Sequence, residues 1–201
     1  MQHRLATLIA WAFCSAAVLA GDAAAPKRLS VAQAEHIVNQ APLKEISPDD
    51  VFEKLHCQVF KVTEGHDMFA TFVVRDGQAR PLGQSFGGSG VMSMCVTELK
   101  DSGPVLVYTY SWGSGLHRSH VAVCRINGEK FEDAVVPFAM RNVDMRVKKG
   151  EDGKVLVYVG ETLLGPVEIT QNEGKLEADV KLVEPLPEDM KKNIWRQNAS
   201  K

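Results

Sequence analysis

Val105-Leu106-Val107-Tyr108-Thr109-Tyr110-Ser111-Trp112, then Gly113-Ser114-Gly115, then Leu116-His117-Arg118-Ser119-His120-Val121-Ala122-Val123-Cys124-Arg125-Ile126: two runs of β-branched and aromatic residues flank a turn of small ones. Such side chains fit a pleated, half-buried surface and the glycines fit a chain reversal, so the stretch predicts an antiparallel hairpin. With 113–115 as a three-residue loop, Trp112 faces Leu116, Val107 faces Val121 and Val105 faces Val123. The four valines then form one apolar patch that belongs in a core. A two-residue loop would pair Val107 with His120 and scatter the valines, so the first register is preferred.

The same register gathers Trp112, Tyr110, Tyr108, Leu106, Leu116, Arg118 and His120 on the opposite face. Rings alternating with a guanidinium and an imidazole can stack on a sugar or an apolar group while the guanidinium holds an anion or a hydroxyl. The candidate ligand-binding residues are therefore Tyr108, Tyr110, Trp112, Arg118 and His120, and the expected partner is a carbohydrate or a small anionic ligand. The competing reading makes this face a second core, with Arg118 and His120 hydrogen-bonded at its margin.

Outward from the hairpin, turn signals recur at Asp76-Gly77, Gly87-Gly88-Ser89-Gly90, Ser102-Gly103, Asn127-Gly128, Asp152-Gly153 and Glu173-Gly174. Their density predicts hairpins throughout, with strands near 57–62, 69–75, 91–99, 105–112, 116–126, 143–148, 154–160, 166–171 and 175–182. Strands alternating with long helices are missing, which argues against a parallel sheet. The expected fold class is mainly β: an antiparallel sandwich or open barrel with two short N-terminal helices and one short C-terminal helix. Ser102-Gly103-Pro104-Val105-Leu106-Val107-Tyr108 and Asp152-Gly153-Lys154-Val155-Leu156-Val157-Tyr158 resemble each other. Two hairpins sharing turn chemistry account for that similarity.

Before the β region, Ser30 and Gln33 have the spacing of a capping box, and Ala34, Ile37, Val38 and Ala41 share a helical face ahead of Pro42. A second helix is expected from Ser47-Pro48-Asp49-Asp50, with Ser47 as cap, Pro48 in the first turn, and an end near Leu55. Pro187-Glu188-Asp189 opens the C-terminal helix, placing Met190 and Ile194 one turn apart and Trp195 as a plug closing the end of the sheet core. Residues 1–20 run from Arg4 through an apolar stretch to Ala20, the pattern of a secretory signal peptide. Residues 21–29 read as a flexible tether and 30–201 as a single β-rich domain with a helical N-terminal segment. The expected localisation is secreted or periplasmic, with no membrane span once the signal is removed.

The chain has 201 residues, 45% of them hydrophobic and 24% charged, which excludes disordered and collagen-like classes. Lys plus Arg total 23 against 25 Asp plus Glu, leaving no basic field for a nucleic-acid backbone. Cys57, Cys95 and Cys124 lack Cys-x-x-Cys spacing and read as buried thiols rather than a metal or redox site. Gly87-Gly88-Ser89-Gly90-Val91 misses the last position of a nucleophile elbow and leads into a strand instead of a helix. His117 and His120, three apart on a strand, point to opposite faces, so a shared metal is not expected. No catalytic residue, metal ligand or cofactor is assigned. A binding or scaffold module is the leading reading, and a hydrolase acting on an extracellular polymer is the alternative.

Overall fold

The computed structural model describes residues 26–65, 68–83, 90–100, 102–113, 117–127 and 130–196. The expected signal peptide, Leu116 and Gly87 to Ser89 lie outside them. Among the described residues the chain begins with α1 (Val31–Val38), β1 (Leu43–Glu45), α2 (Asp49–Leu55), β2 (Gln58–Val62), β3 (Thr71–Arg75) and β4 (Gln78–Pro81). Then come β5 (Gly90–Leu99), β6 (Gly103–Trp112), β7 (Arg118–Asn127) and β8 (Lys130–Arg141). Next are β9 (Met145–Lys149), β10 (Val155–Val159), β11 (Thr162–Asn172) and β12 (Lys175–Val180), and last α3 (Glu188–Asn193) and β13 (Ile194–Arg196). The strands make three antiparallel sheets, ordered β1-β2-β3-β4, β12-β11-β10-β9 and β13-β8-β7-β6-β5, and none closes into a barrel.

The quoted hairpin is β6–β7, at the centre of the five-stranded sheet. Its register places Val107 opposite Val123 and Trp112 opposite Arg118, so the loop spans 113–117 and the pairing is two residues away from that expected. A shift of two leaves every side chain on its expected face, because the side-chain period of a strand is two. Val105, Val107, Val121 and Val123 accordingly sit together in the core formed with Val147, Val157 and Leu164 of the β9–β12 sheet.

The other face of β6 and β7 is also buried. Leu106, Tyr108, Tyr110, Ala122 and Cys124 pack against Val51 and Leu55 of α2, Val59 of β2 and Val73 of β3. The central sheet is thus covered on both sides, which is why β6 reads as a nearly unbroken run of apolar side chains. A third cluster joins Ala34 of α1 to Leu43, Phe60 and Val74 on the far side of the first sheet.

At the N-terminus the capping box forms as expected, with the Ser30 hydroxyl accepting from Gln33 N and the Gln33 side chain accepting from Ser30 N. Ser47 does not cap α2. Its hydroxyl accepts the Val59 N–H and donates to Glu45, and Pro48 takes the cap position with no side-chain bond. Arg28 and Leu29, expected in a flexible tether over 21–29, are held by β1, α2 and β2. The Arg28 guanidinium lies 4.8 Å over Phe52 and pairs with Glu45 and Asp49, while Leu29 exchanges two hydrogen bonds with the buried Gln58 amide. An aromatic ring and two carboxylates outweigh the freedom that small neighbouring residues would confer.

Two elements on the far edge differ from expectation. β8 is a 12-residue strand where none was expected. Pro137 sits in a bulge where Ala122 pairs Val135 and His120 pairs Ala139, so its missing N–H breaks no ladder bond. The C-terminal helix stops at Asn193, and Ile194 and Trp195 form β13 beside β8, Trp195 opposite Ala139. Between the layers, β9 ends its sheet with one side paired by no strand among the described residues. The N–H groups of Met145 and Val147 instead donate to the hydroxyls of Ser119 (2.9 Å) and Ser93 (2.8 Å) on the central sheet.

Candidate functional site

Register builds one row across the central sheet: Trp195 of β13, Ala139 of β8, His120 of β7, Tyr110 of β6 and Val91 of β5. Beside it, Trp112, Arg118 and Arg141 form the next row on the same face. All five residues expected to bind a ligand share this face. As an open platform, however, the face must be corrected: Tyr108 is 1% exposed, Tyr110 4% and His120 7%. The first sheet and α2 cover them, and Gly83 stands over the Tyr110 ring so closely that an added Cβ would lie 2.7 Å from it. Trp112 and Arg118 remain partly accessible, as does Trp195.

The aromatic groups pack in sequence. Tyr110 stacks on His120 with ring centroids 5.3 Å apart, Trp112 stacks on His120 at 6.3 Å, and Trp195 meets the imidazole edge-on at 6.5 Å. Trp112 Nε1 donates to His120 Nε2 at 3.0 Å. That bond requires a lone pair on Nε2, so His120 is neutral with its proton on Nδ1. Burial, and secondarily the Arg118 charge, depress its pKa to about 4.

The sign of the linkage follows. Between the ordinary value of 6.5 and about 4 the unfolded chain binds a proton that the folded one excludes. Stability from this group is complete above pH 6.5 and is lost as pH falls toward 4. We expect a loss of roughly 2 kcal/mol across that window, after allowance for partial solvent screening. Asp133, whose carboxyl is pushed up by burial against the hydrogen bonds that lower it, acts in the opposite direction. Denaturant melts of the wild type and of His120→Gln at pH 7 and pH 4.5 separate the two. The wild type should lose more stability than the variant, and equal losses would contradict the assignment.

Arg118 lies with its guanidinium 4.5 Å over the Trp195 ring. Directly opposite stands Arg141 on β8. Among the described residues, neither arginine has a carboxylate within ion-pair distance. Like charges facing each other across a strand pair are unfavourable unless something of opposite charge lies between them. Reading the sequence missed Arg141 because it missed β8. The alternation of Ala134, Val136, Phe138 and Met140, all buried, was the available signal. Trp195, expected as a plug closing the sheet core, is half-buried on β13 and presents its ring to Arg118 and its edge contact to His120.

His117 begins this end of the site, with Nε2 3.4 Å from Asp144 Oδ1 but without hydrogen-bond alignment. It precedes β7 rather than lying on a strand with His120. The nearby Ser119 hydroxyl is 0% exposed and occupied by Met145 N. Cys57, Cys95 and Cys124 are buried and free, and burial pushes the first two thiols up to about 12 and about 11, far from a reactive thiolate. Among the described residues no helix is long and apolar enough to cross a membrane. Comparison with protein-family models, curated proteins and solved structures returns no match.

Proposed function

We propose that the protein is an exported binding module that takes an anionic ligand, an acidic sugar in particular, at the Trp112, Arg118, Arg141 and Trp195 end of the central sheet. In this reading the five-stranded sheet and the β9–β12 sheet form a rigid sandwich, and the apolar cluster beneath the site fixes the rings before the ligand arrives. The observation that carries it is the cross-strand arginine pair with no carboxylate partner among the described residues, one member stacked on a partly accessible indole. A ligand carboxylate between the guanidiniums relieves their repulsion, while Trp112 and Trp195 offer flat faces to a sugar ring. His120 contributes by holding the Trp112 indole through its neutral Nε2.

The test is a titration of galacturonate trisaccharide into the protein at low salt, followed by tryptophan emission. A saturable change is expected, and Arg118→Ala should weaken binding by about tenfold, the worth of one charge-assisted contact. The same substitution should cost less than ~1 kcal/mol of stability, because removing the guanidinium loses one cation–π contact and also the repulsion with Arg141. Unchanged binding in the variant, or no binding by the wild type, would reject the site.

A further inference from the structure

The face that holds the arginine pair continues along β8, where Asp133, Val135 and Pro137 are exposed. Phe131, Asp133, Val135 and Pro137 follow one another on that side of the strand, and Val135 is 50% exposed, an unusual position for a valine in a sheet. At the far end, a cleft of about 760 Å³ opens between Arg80 and Pro81 of β4 and the β7–β8 hairpin. Arg125 in its wall is occupied by Glu132 and by the Gly174 carbonyl. Arg80 and Lys130 line the same cleft, and among the described residues neither is paired with a carboxylate. Asp133, also in the lining, faces the Tyr108 hydroxyl and the Cys124 thiol.

One strand therefore connects two places that each offer a pair of cations with no carboxylate partner among the described residues. Lys130 and Arg141 are the two ends of this 12-residue strand, roughly 30 Å apart at the usual rise with the bulge deducted. On the Arg141 side of the strand lie Phe131, Asp133, Val135, Pro137 and Ala139 with no cation among them, while Lys130, opposite Asn127, starts from the other face and lines the cleft from the strand's end. Building on the arginine-pair reading above, we infer that β8 is the floor of an extended groove for a linear acidic polysaccharide, held by Arg118 and Arg141 at one end and by Arg80 and Lys130 at the other. The flat apolar strip suits sugar rings, and Asp133 can hydrogen-bond their hydroxyl groups. Two ends on one ligand make the second contact intramolecular, so affinity should rise with ligand length once both are reached.

The experiment compares galacturonate trisaccharide with galacturonate hexasaccharide, using maltohexaose as the neutral control and hexaglutamate as the acidic peptide. In the wild type the hexamer should bind tighter than the trimer by on the order of tenfold or more. In the exposed double variant Arg80→Ala/Lys130→Ala, that ratio should fall to near one. An equal affinity for trimer and hexamer, or a ratio unchanged in the double variant, overturns the groove while leaving the arginine-pair site standing. Failure of both uronates to bind the wild type overturns the arginine-pair reading itself. Hexamer binding insensitive to Arg118→Ala assigns the cleft alone and overturns the two-ended groove. Maltohexaose binding as well as the hexuronate removes the charge argument, and hexaglutamate binding more tightly turns the groove over to an acidic peptide.

Discussion

Gly165→Ala is expected to destabilise the protein by about 4 kcal/mol or more, a large part of the 5–15 kcal/mol typical of a folded domain. Gly165 has a φ of +150, and a Cβ built there would lie 1.9 Å from the carbonyl oxygen of Lys181 and 2.8 Å from its carbon. Both clashing atoms are backbone, so no side-chain rotation relieves them. The Lys181 segment cannot withdraw freely either, since Lys181 N donates to Pro166 O and Val183 N to Leu164 O, on either side of the glycine. Gly174→Ala is the control. Its φ is +82 and nothing lies within 4 Å of the added carbon, so it should cost only the left-handed backbone penalty of about 1–2 kcal/mol. Urea unfolding of both variants measures the difference, and similar losses would show that the close approach does not exist in solution.

Tyr108→Ala carries the second large effect, expected at about 3–5 kcal/mol for truncating a buried aromatic residue between two packed layers. The ring is 1% exposed, its neighbour Tyr110 lies 5.9 Å away between centroids, and its hydroxyl reaches Asp133 and the Gly83 backbone. Tyr108→Phe keeps the ring and removes only the hydroxyl, and should cost about 1 kcal/mol. The pair of variants divides packing from hydrogen bonding. It also decides between an open and a covered face, because on an open platform Tyr108→Ala would cost no more than ~0.5 kcal/mol. A small loss in Tyr108→Ala would contradict the covered arrangement.

The contrast shows what a single sequence can carry here. Valine placement at 105, 107, 121 and 123 was legible because the alternation constrains parity, and parity survived a two-residue difference in loop length. Whether the aromatic face met water or another layer was not legible. That depends on β2, β3 and α2, whose docking leaves no mark within the hairpin itself. β8 was obscured by Glu132, Asp133 and Pro137, residues that argue against a strand locally but that its bulge and open face accommodate. β13 is only 3 residues long and owes its extended form to the edge it joins rather than to intrinsic preference. Arg141 and Trp195, the site residues that sequence reading left out, are carried by these two strands.

The hydroxyls of Ser93 and Ser119 have a consequence for solubility and for how the layers assemble. An edge strand with free N–H groups is a template on which another chain can add a strand and begin an aggregate. On β9 two of those donors are turned inward and consumed by serines of the facing layer, so that side cannot recruit a neighbour without first separating the two sheets. The bonds are also directional where apolar packing is not. Valines alone would tolerate one layer sliding over the other by a residue pair, whereas two hydroxyls each matched to one particular N–H admit a single alignment. Ser93→Ala and Ser119→Ala would therefore act on stacking and on resistance to self-association, independently of what the molecule binds.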